Sequence, residues 1–165
     1  MEFTHSKKEM VLALSLIVLA VASRLLPHPP NFAPITGIAL FASTRFQSKI
    51  LALMVPFIAM VVTDWVLGFS AITLFVYLAF AVIFFQAAAT KKIHLGTLII
   101  SSLLFFVITN LGVWYLYYPH SWEGLSSCFL LALPFYTNTL LGDLFYTGVL
   151  FGSFSTLRKW YSKPI

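Results

Sequence analysis

The sequence has very little charge and almost no cysteine. Only 9% of its 165 residues are Asp, Glu, Lys or Arg, and ten basic and five acidic side chains leave a formal net charge of +5. Soluble domains carry about 25% charged residues, so the composition excludes an ordinary water-soluble protein. The single cysteine, Cys128, excludes an intrachain disulfide and a zinc site built from several cysteines.

The usual signatures of enzymes are also missing. There is no G-x-x-x-x-G-K-[ST] phosphate loop, so the chain has no conventional means of hydrolysing ATP, and there is neither H-E-x-x-H nor G-x-S-x-G. The positive net charge does not indicate nucleic-acid binding, because membrane topology itself requires basic residues at the ends of apolar segments. We therefore expect no enzymatic activity, no cofactor and no nucleic-acid partner.

Apolar residues dominate instead, at 60% of the chain. A helix needs roughly 20 apolar residues to cross a hydrocarbon core about 30 Å thick. The sequence offers six such segments within a single domain, residues 1–165. It thus predicts an all-α integral membrane protein with six transmembrane helices at about residues 10–26, 34–48, 50–67, 71–89, 95–117 and 138–157.

The residues just before the last segment form an apolar run that is too short to span a membrane. This run extends from Leu125 to Tyr136 and contains Pro134. Proline lacks a backbone N–H and clashes with the preceding helical turn, so it commonly breaks a helix. The pattern predicts a short interfacial or re-entrant helix on the outer side, ended at Pro134.

Lysine and arginine occupy every second junction between the apolar segments. They are Lys7, Lys8, Arg45, Lys49, Lys91, Lys92, Arg158, Lys159 and Lys163, and the other junctions contain none. The positive-inside rule then predicts a multi-pass protein of the plasma membrane with both termini in the cytoplasm. The N-terminal segment also resembles a signal peptide cleaved after Ala22, which would leave five spans with the same orientation. The apolar run continues to Leu26, which favours retention.

A proline-rich stretch, LPHPPNFAPIT, joins the first two segments on the predicted outer side. Four prolines, Pro27, Pro29, Pro30 and Pro34, prevent helix formation and pre-order an extended segment. Such a segment has little conformational freedom to lose on binding, so it suits a rigid lid over a binding site. The alternative is a tight outer turn, with Pro34 as the first residue of the second helix.

Polar residues within apolar spans are costly unless they find partners, so they indicate functional positions. Here they collect near the outer ends of their segments, which predicts a solute-binding site at one face. The candidate binding residues are Arg24, His28, Asn31, Asp64, Asn110, Trp114, Trp122, Asn138 and Asp143. In this hypothesis Arg24, His28 and Asn31 belong to the gate. The other residues contact the solute: Asn110 and Asn138 hydrogen-bond it, Asp64 and Asp143 hold donors or a cation, and Trp114 and Trp122 stack on a ring.

Several alternatives remain open at this point. In one alternative, Arg24 pairs with Asp64 or Asp143 as a structural clamp. In another, the tryptophans form an interfacial aromatic belt. A third alternative is an enzyme in which the two aspartates serve as acid and base. A fourth is a non-transporting subunit whose outer face contacts another protein. A metal site from His28, His120 and Asp64 matches no known signature.

The sequence also resembles a known family. RLLPHPPNFAPITGIALFAS, VVTDWVLGF, FFVITNLGVW and NTLLGDLFYTGVLFG, between about Arg24 and Gly152, resemble small bacterial membrane proteins of unknown function that are described as transport proteins. That family is in turn similar to the substrate-binding S components of energy-coupling-factor (ECF) vitamin transporters.

The resemblance implies a bundle of six helices in the bacterial inner membrane, with cytoplasmic termini and an outward pocket lined by spans four to six. Residues 27–31 would be its lid, and a coupling subunit with ATPases would be the partners. S components often carry an A-x-x-x-A docking patch on the first helix, whereas Ala13, Ala20 and Ala22 here lack that spacing. Ala39 and Ser43 on the second segment offer a weaker small-xxx-small substitute.

Overall fold

All regular secondary structure in the described part of the chain is helical. The computed structural model describes residues 2–90 and 93–161, and the side chains of residues 10–90 and 93–156. These residues form six helices and no strand, which confirms the all-α prediction. The helices are α1 (Glu2–Leu25), α2 (Ile35–Arg45), α3 (Lys49–Leu67), α4 (Thr73–Ala89), α5 (Leu95–Tyr117) and α6 (Trp122–Tyr161).

Several basic residues at the predicted junctions lie outside the described structure. The basic residues Lys91, Lys92 and Lys163 lie outside the described residues, as do the side chains of Lys7, Lys8, Arg158 and Lys159.

Three helices are long and apolar enough to cross a membrane. They are Lys49–Leu67, Leu95–Tyr117 and the Trp122–Thr156 part of α6, and two further apolar helices, Met10–Leu25 and Thr73–Ala89, are shorter. The outer surface of the bundle carries many large apolar side chains, such as Val18, Leu74 and Phe85. Exposing so much apolar surface to water is unfavourable, whereas contact with lipid chains is not. The fold is therefore compatible with a membrane location.

Helix α2 is the buried centre of the bundle. It packs against α3, α4 and α6, and every residue from Ile35 to Ser43 is buried. A helix that is apolar on all sides is stable only when other helices surround it. Its eleven residues rise only about 16 Å. Ala39 and Ser43 lie inside the bundle, so the docking surface predicted from their spacing is not available to a second protein.

Helix α6 corrects the predicted break at Pro134. It runs without interruption for 40 residues, with Pro134 inside it, so there is no separate interfacial or re-entrant helix before the last span. One proline removes a single backbone hydrogen bond, and apolar surroundings offer no water to compete for the remaining ones. Contacts before and after this position hold α6 in the bundle: Phe106 of α5 packs against Phe129 and Tyr136, and Phe41 of α2 packs against Phe151.

The two ends of the bundle differ chemically. At one end, the Arg45 guanidinium lies 5.4 Å and 4.8 Å from the ring centres of Phe151 and Phe154, and Lys49 Nζ donates to the Ser43 carbonyl at 2.7 Å. At the other end, α1, α3 and α5 finish, and the proline-rich segment crosses between α1 and α2. Almost all of the predicted site residues lie at this second end.

Candidate functional site

One carboxylate joins three helices at the proline-rich end. Arg24 Nη2, near the end of α1, donates to Asp64 Oδ1 of α3 at 2.7 Å. The Tyr77 hydroxyl of α4 donates to Asp64 Oδ2 at 2.8 Å. Of the two partners proposed for Arg24 as a structural clamp, the structure therefore selects Asp64. The pair is largely buried, with 19% of the Arg24 side chain and 9% of the Asp64 side chain exposed.

A second carboxylate lies deeper and has different partners. Asp143 of α6 is 2% exposed, and the Ser102 hydroxyl of α5 donates to its Oδ2 at 2.5 Å. The Thr36 hydroxyl of α2 is a second hydrogen-bonding group for the same carboxylate. Within the described part of the chain, Asp143 forms no ion pair with a Lys, Arg or His side chain. Asp143 is therefore a buried carboxylate whose protein partners are hydroxyl groups.

A cavity of about 240 Å³ lies between these two carboxylate clusters. Four predicted site residues line it, namely Arg24, His28, Asn31 and Asp143. The remaining wall is formed by two threonines and by apolar side chains: Ala33, Ile35, Thr36, Leu67, Val76, Phe80, Phe105 and Thr139. Mostly apolar walls with a few convergent polar groups are typical of small-molecule binding sites.

A second cavity, of about 390 Å³, lies beside the first. Its walls are mainly apolar and aromatic, and it also exposes Asn110 and Cys128. Asn110 Nδ2 donates to the backbone carbonyl of Phe106 at 2.7 Å, and the Cys128 thiol donates to the backbone carbonyl of Asn110 at 3.5 Å. The side-chain oxygen of Asn110 has no hydrogen-bond partner in the described part of the chain. This oxygen is therefore available to a donor inside the cavity.

Three residues form the boundary between the two cavities. Asn31 of the proline-rich segment, Val76 of α4 and Phe105 of α5 line both of them. Asn31 has a φ of 64°, in the left-handed region that Asn tolerates better than most residues. The neighbouring Phe32 ring packs on Phe145 and Tyr146 of α6. The proline-rich segment is thus anchored by its last residues and reaches the boundary through Asn31.

A glycine allows this anchoring. A Cβ atom at Gly142 of α6 would lie 3.1 Å from the Phe32 Cα and 3.3 Å from the Ala33 nitrogen. A side chain at this position would push the segment away by a few tenths of an ångström.

The remaining predicted site residues lie away from both cavities. Trp114 Nε1 donates to the Pro119 carbonyl at 3.1 Å, and its ring packs against His120. Trp122 is 82% exposed beside a shallow apolar depression at the start of α6. Asn138 is partly buried but lines neither cavity. The positions of the two tryptophans agree with an interfacial aromatic belt.

The described residues do not assemble a metal site. No three His, Cys, Asp or Glu side chains among them lie close enough to hold one ion. His28 Nδ1 is 2.8 Å from the Pro29 carbonyl, whereas His120 stacks on Tyr115 and contacts its carbonyl at 2.9 Å. The alternative built from His28, His120 and Asp64 is therefore not formed.

Several residues of the site carry no strong signal in the sequence. Tyr77, Ser102 and Thr139 each touch a carboxylate or line a cavity, yet hydroxyl side chains are common in apolar helices. There they usually bond to the preceding turn, as Thr109 does with the Phe105 carbonyl. Phe105 is one of 17 phenylalanines in the chain.

Comparison with known proteins identifies the family. The model of a family described as "Family of unknown function (DUF6580)" matches residues 4–164, and the chain belongs to that family. No curated protein and no solved structure matches the chain. The expected membership of a family of unknown function is thus confirmed, while this match carries nothing about transport or S components.

Proposed function

We propose that the protein is a membrane transport protein that binds a small, ring-containing solute in the two adjoining cavities. The observation that supports this is the meeting of separate segments around two adjoining cavities: α1, the proline-rich segment, α2, α4, α5 and α6 all contribute to their walls. A surface that only contacts another protein has no need of such internal space.

The proposal gives the described residues separate tasks. Asn110 and Asn31 hydrogen-bond the solute, Phe105 contacts its ring, and Asp143 accepts from its donors. The Arg24–Asp64 pair holds α1 to α3 and fixes one side of the entrance. Trp114 and Trp122 belong to the aromatic belt in this proposal, because neither lines a cavity.

The proposed membrane arrangement follows the charge pattern of the sequence. The basic junctions, including Arg45 and Lys49, lie in the cytoplasm of a bacterial cell together with both termini, and the proline-rich segment faces outward. All six helices lie within the bilayer in this arrangement, with α2 enclosed by the others. Residues 27–31 act as the lid.

Uptake against a gradient needs an energy source that the chain does not contain. Because the sequence has no phosphate loop, we propose that a coupling subunit with ATPases provides it, as in ECF transporters. The contact surface for that partner lies elsewhere than on Ala39 and Ser43, which the bundle encloses.

The proposal is tested by native mass spectrometry of the protein purified from its own membrane. We expect a co-purified small molecule that leaves on exhaustive washing and rebinds when added back. Asn110→Ala should weaken rebinding by about tenfold, because an amide hydrogen bond contributes on the order of 1 kcal/mol and a lost buried partner somewhat more.

Asn138→Ala is the matched control, because it removes the same side chain at a position outside both cavities. It should leave rebinding unchanged. Two results would contradict the proposal. One is a purified wild-type protein that carries no small molecule, and the other is an Asn110→Ala variant that rebinds the molecule as tightly as the wild type does.

A further inference from the structure

The two carboxyl groups near the first cavity differ in their partners. The Arg24 guanidinium and the Asp64 carboxylate neutralise each other at 2.7 Å. Asp143 lines the same cavity and has only hydroxyl partners, from Ser102 and Thr36. No ion pair involves Asp143 in the part of the chain that the structure describes. The wall of the cavity therefore presents a buried carboxylate that lacks a counter-charge.

A buried carboxylate of this kind has capacity for further donors. Its two oxygens offer about four acceptor positions, and the two hydroxyl groups fill only part of them. Burial disfavours the ionised form of a carboxyl group that has no positive partner, so a cation that enters the cavity can pair with Asp143 and stabilise that form. A hydroxyl or an amide on the solute would gain much less.

The dimensions favour a ligand that extends into both cavities. The first cavity, at about 240 Å³, is smaller than the roughly 300 to 1,000 Å³ of typical ligand pockets, while the two together fall within that range. Asn31, Val76 and Phe105 line both cavities, so the two lie side by side with only these side chains at their boundary. The second cavity is lined by aromatic and aliphatic groups such as Phe135 and Leu131, which suit a ring rather than a charge.

From these observations we infer that the solute is a cation with an apolar ring: its protonated amine binds Asp143 in the first cavity, and its ring lies across Phe105 in the second. The inference rests on the proposed function and adds the chemical class of the substrate. Thr139, which lines the first cavity beside Asp143, accepts a second hydrogen bond from the ammonium group. An ammonium group has three donors, so it can serve both residues at once.

Three probes with the same ring test the charge of the head group. Tryptamine, tryptophol and indole-3-acetate carry an indole ring with an ammonium, a hydroxyl and a carboxylate group, respectively. Their binding to the purified full-length protein is measured through Cys128, which is the only cysteine of the chain and lines the second cavity. The readout is the rate at which methyl methanethiosulfonate modifies this thiol, followed by intact mass spectrometry.

We expect tryptamine to slow the modification of Cys128 at concentrations about tenfold lower than tryptophol requires. Hydrogen bonds between charged groups are stronger than neutral ones, and the difference in binding free energy corresponds to about tenfold in the dissociation constant. Indole-3-acetate should protect least. Asp143→Asn should abolish the preference for tryptamine although residue 143 does not line the cavity of Cys128. Glu123→Gln, which removes an exposed carboxylate outside both cavities, should leave the preference unchanged.

The outcomes separate this inference from the proposed function. Equal protection by tryptophol and tryptamine in the wild-type protein overturns the cation, while solute binding stands. Strongest protection by indole-3-acetate, lost in Arg24→Gln, shows an anionic solute held by Arg24 and also overturns it. No protection by any probe, together with no co-purified molecule, overturns both. The wild-type comparison needs no variant, so it decides the matter even if Asp143→Asn does not fold.

Discussion

Arg24 and Asp64 are 40 positions apart in the sequence, and a hydrogen bond of 2.7 Å between them ties the end of α1 to α3. Tyr77 of α4 donates to the other oxygen of the same carboxylate. One acidic side chain therefore links three helices, and its partner Arg24 lines the first cavity. Replacing Asp64 should therefore change the stability of the protein.

Asp64→Asn should lower the stability of the protein by about 2 kcal/mol. Breaking a fully buried ion pair costs roughly 3 to 5 kcal/mol, because the remaining charge has no partner. The Arg24 side chain retains 19% exposure and can regain some water, which lowers the figure. Thermal unfolding in detergent measures the change, and Glu123→Gln, an exposed carboxylate, is the control.

A double-mutant cycle shows whether the effect comes from the pair. Arg24→Gln combined with Asp64→Asn should cost clearly less than the sum of the two single variants, because each single variant leaves one unpaired charge and the double variant leaves none. Strictly additive losses would mean that the two side chains stabilise the protein through other contacts.

Two substitutions at Asn31 separate its backbone conformation from its side chain. At a φ of 64°, Asn31→Ala should destabilise the protein by about 1 kcal/mol, whereas Asn31→Gly should cost little, since glycine adopts this region freely. Both variants lose the side-chain amide that lines the two cavities. Both should therefore weaken solute binding to a similar extent.

Unfolding and solute rebinding are measured on the same two preparations of Asn31 variants. An Asn31→Gly protein that binds as tightly as the wild type would show that the amide does not contact the solute.

Gly112 of α5 should tolerate no side chain. A Cβ atom there would lie 2.3 Å from Phe75 Cγ of α4, a distance at which the ring or the helix must move. Gly112→Ala should destabilise the protein by about 1 to 3 kcal/mol, as overpacking typically does. Circular dichroism on heating gives the midpoints.

Gly148 of α6 provides the matched comparison for this substitution. No atom lies within 4 Å of a Cβ atom at this position, and the residue is helical. Gly148→Ala should leave stability unchanged or raise it by up to about 1 kcal/mol, because alanine favours the helix. Similar midpoints for the two variants would show that α4 and α5 are packed less closely than the structure has them.

Membrane sidedness can be tested with single cysteines in a Cys128→Ser background. His28→Cys lies in the proline-rich segment, and Gln47→Cys lies between α2 and α3, both at exposed positions. A membrane-impermeant maleimide should label His28→Cys in right-side-out membrane vesicles and should label Gln47→Cys only after permeabilisation. The reverse pattern would place the cavities on the cytoplasmic side and remove the basis for uptake from outside.

The bounds of the most apolar helices were predicted well. The bounds predicted for the third, fourth and fifth helices agree with Lys49–Leu67, Thr73–Ala89 and Leu95–Tyr117 to within two residues. Hydropathy decides these helices, since each backbone group must be satisfied within its own segment in apolar surroundings. The break expected at Pro134 was wrong, because a local helix-breaking tendency yields to packing along both sides of α6.

Which side chains meet at the site could be predicted only in part. Polar residues near the segment ends pointed to Arg24, Asp64, Asn110 and Asp143, and the structure places each of them in a cavity wall or in its supporting pair. The tryptophans and Asn138 have the same sequence signal but face elsewhere. Direction around a helix axis depends on the neighbouring helices, and a single sequence with sparse polar residues does not define it.

The sequence by itself determined the all-helical class, the apolar outer surface and the proline-rich segment, because hydropathy and proline geometry act within a few residues. The tertiary structure alone decided that Arg24 pairs with Asp64 rather than Asp143, that α2 is the enclosed centre, and that Asp143 is left with hydroxyl partners. These outcomes depend on distances between segments tens of residues apart. Such distances are set by how the helices pack, which no local pattern records.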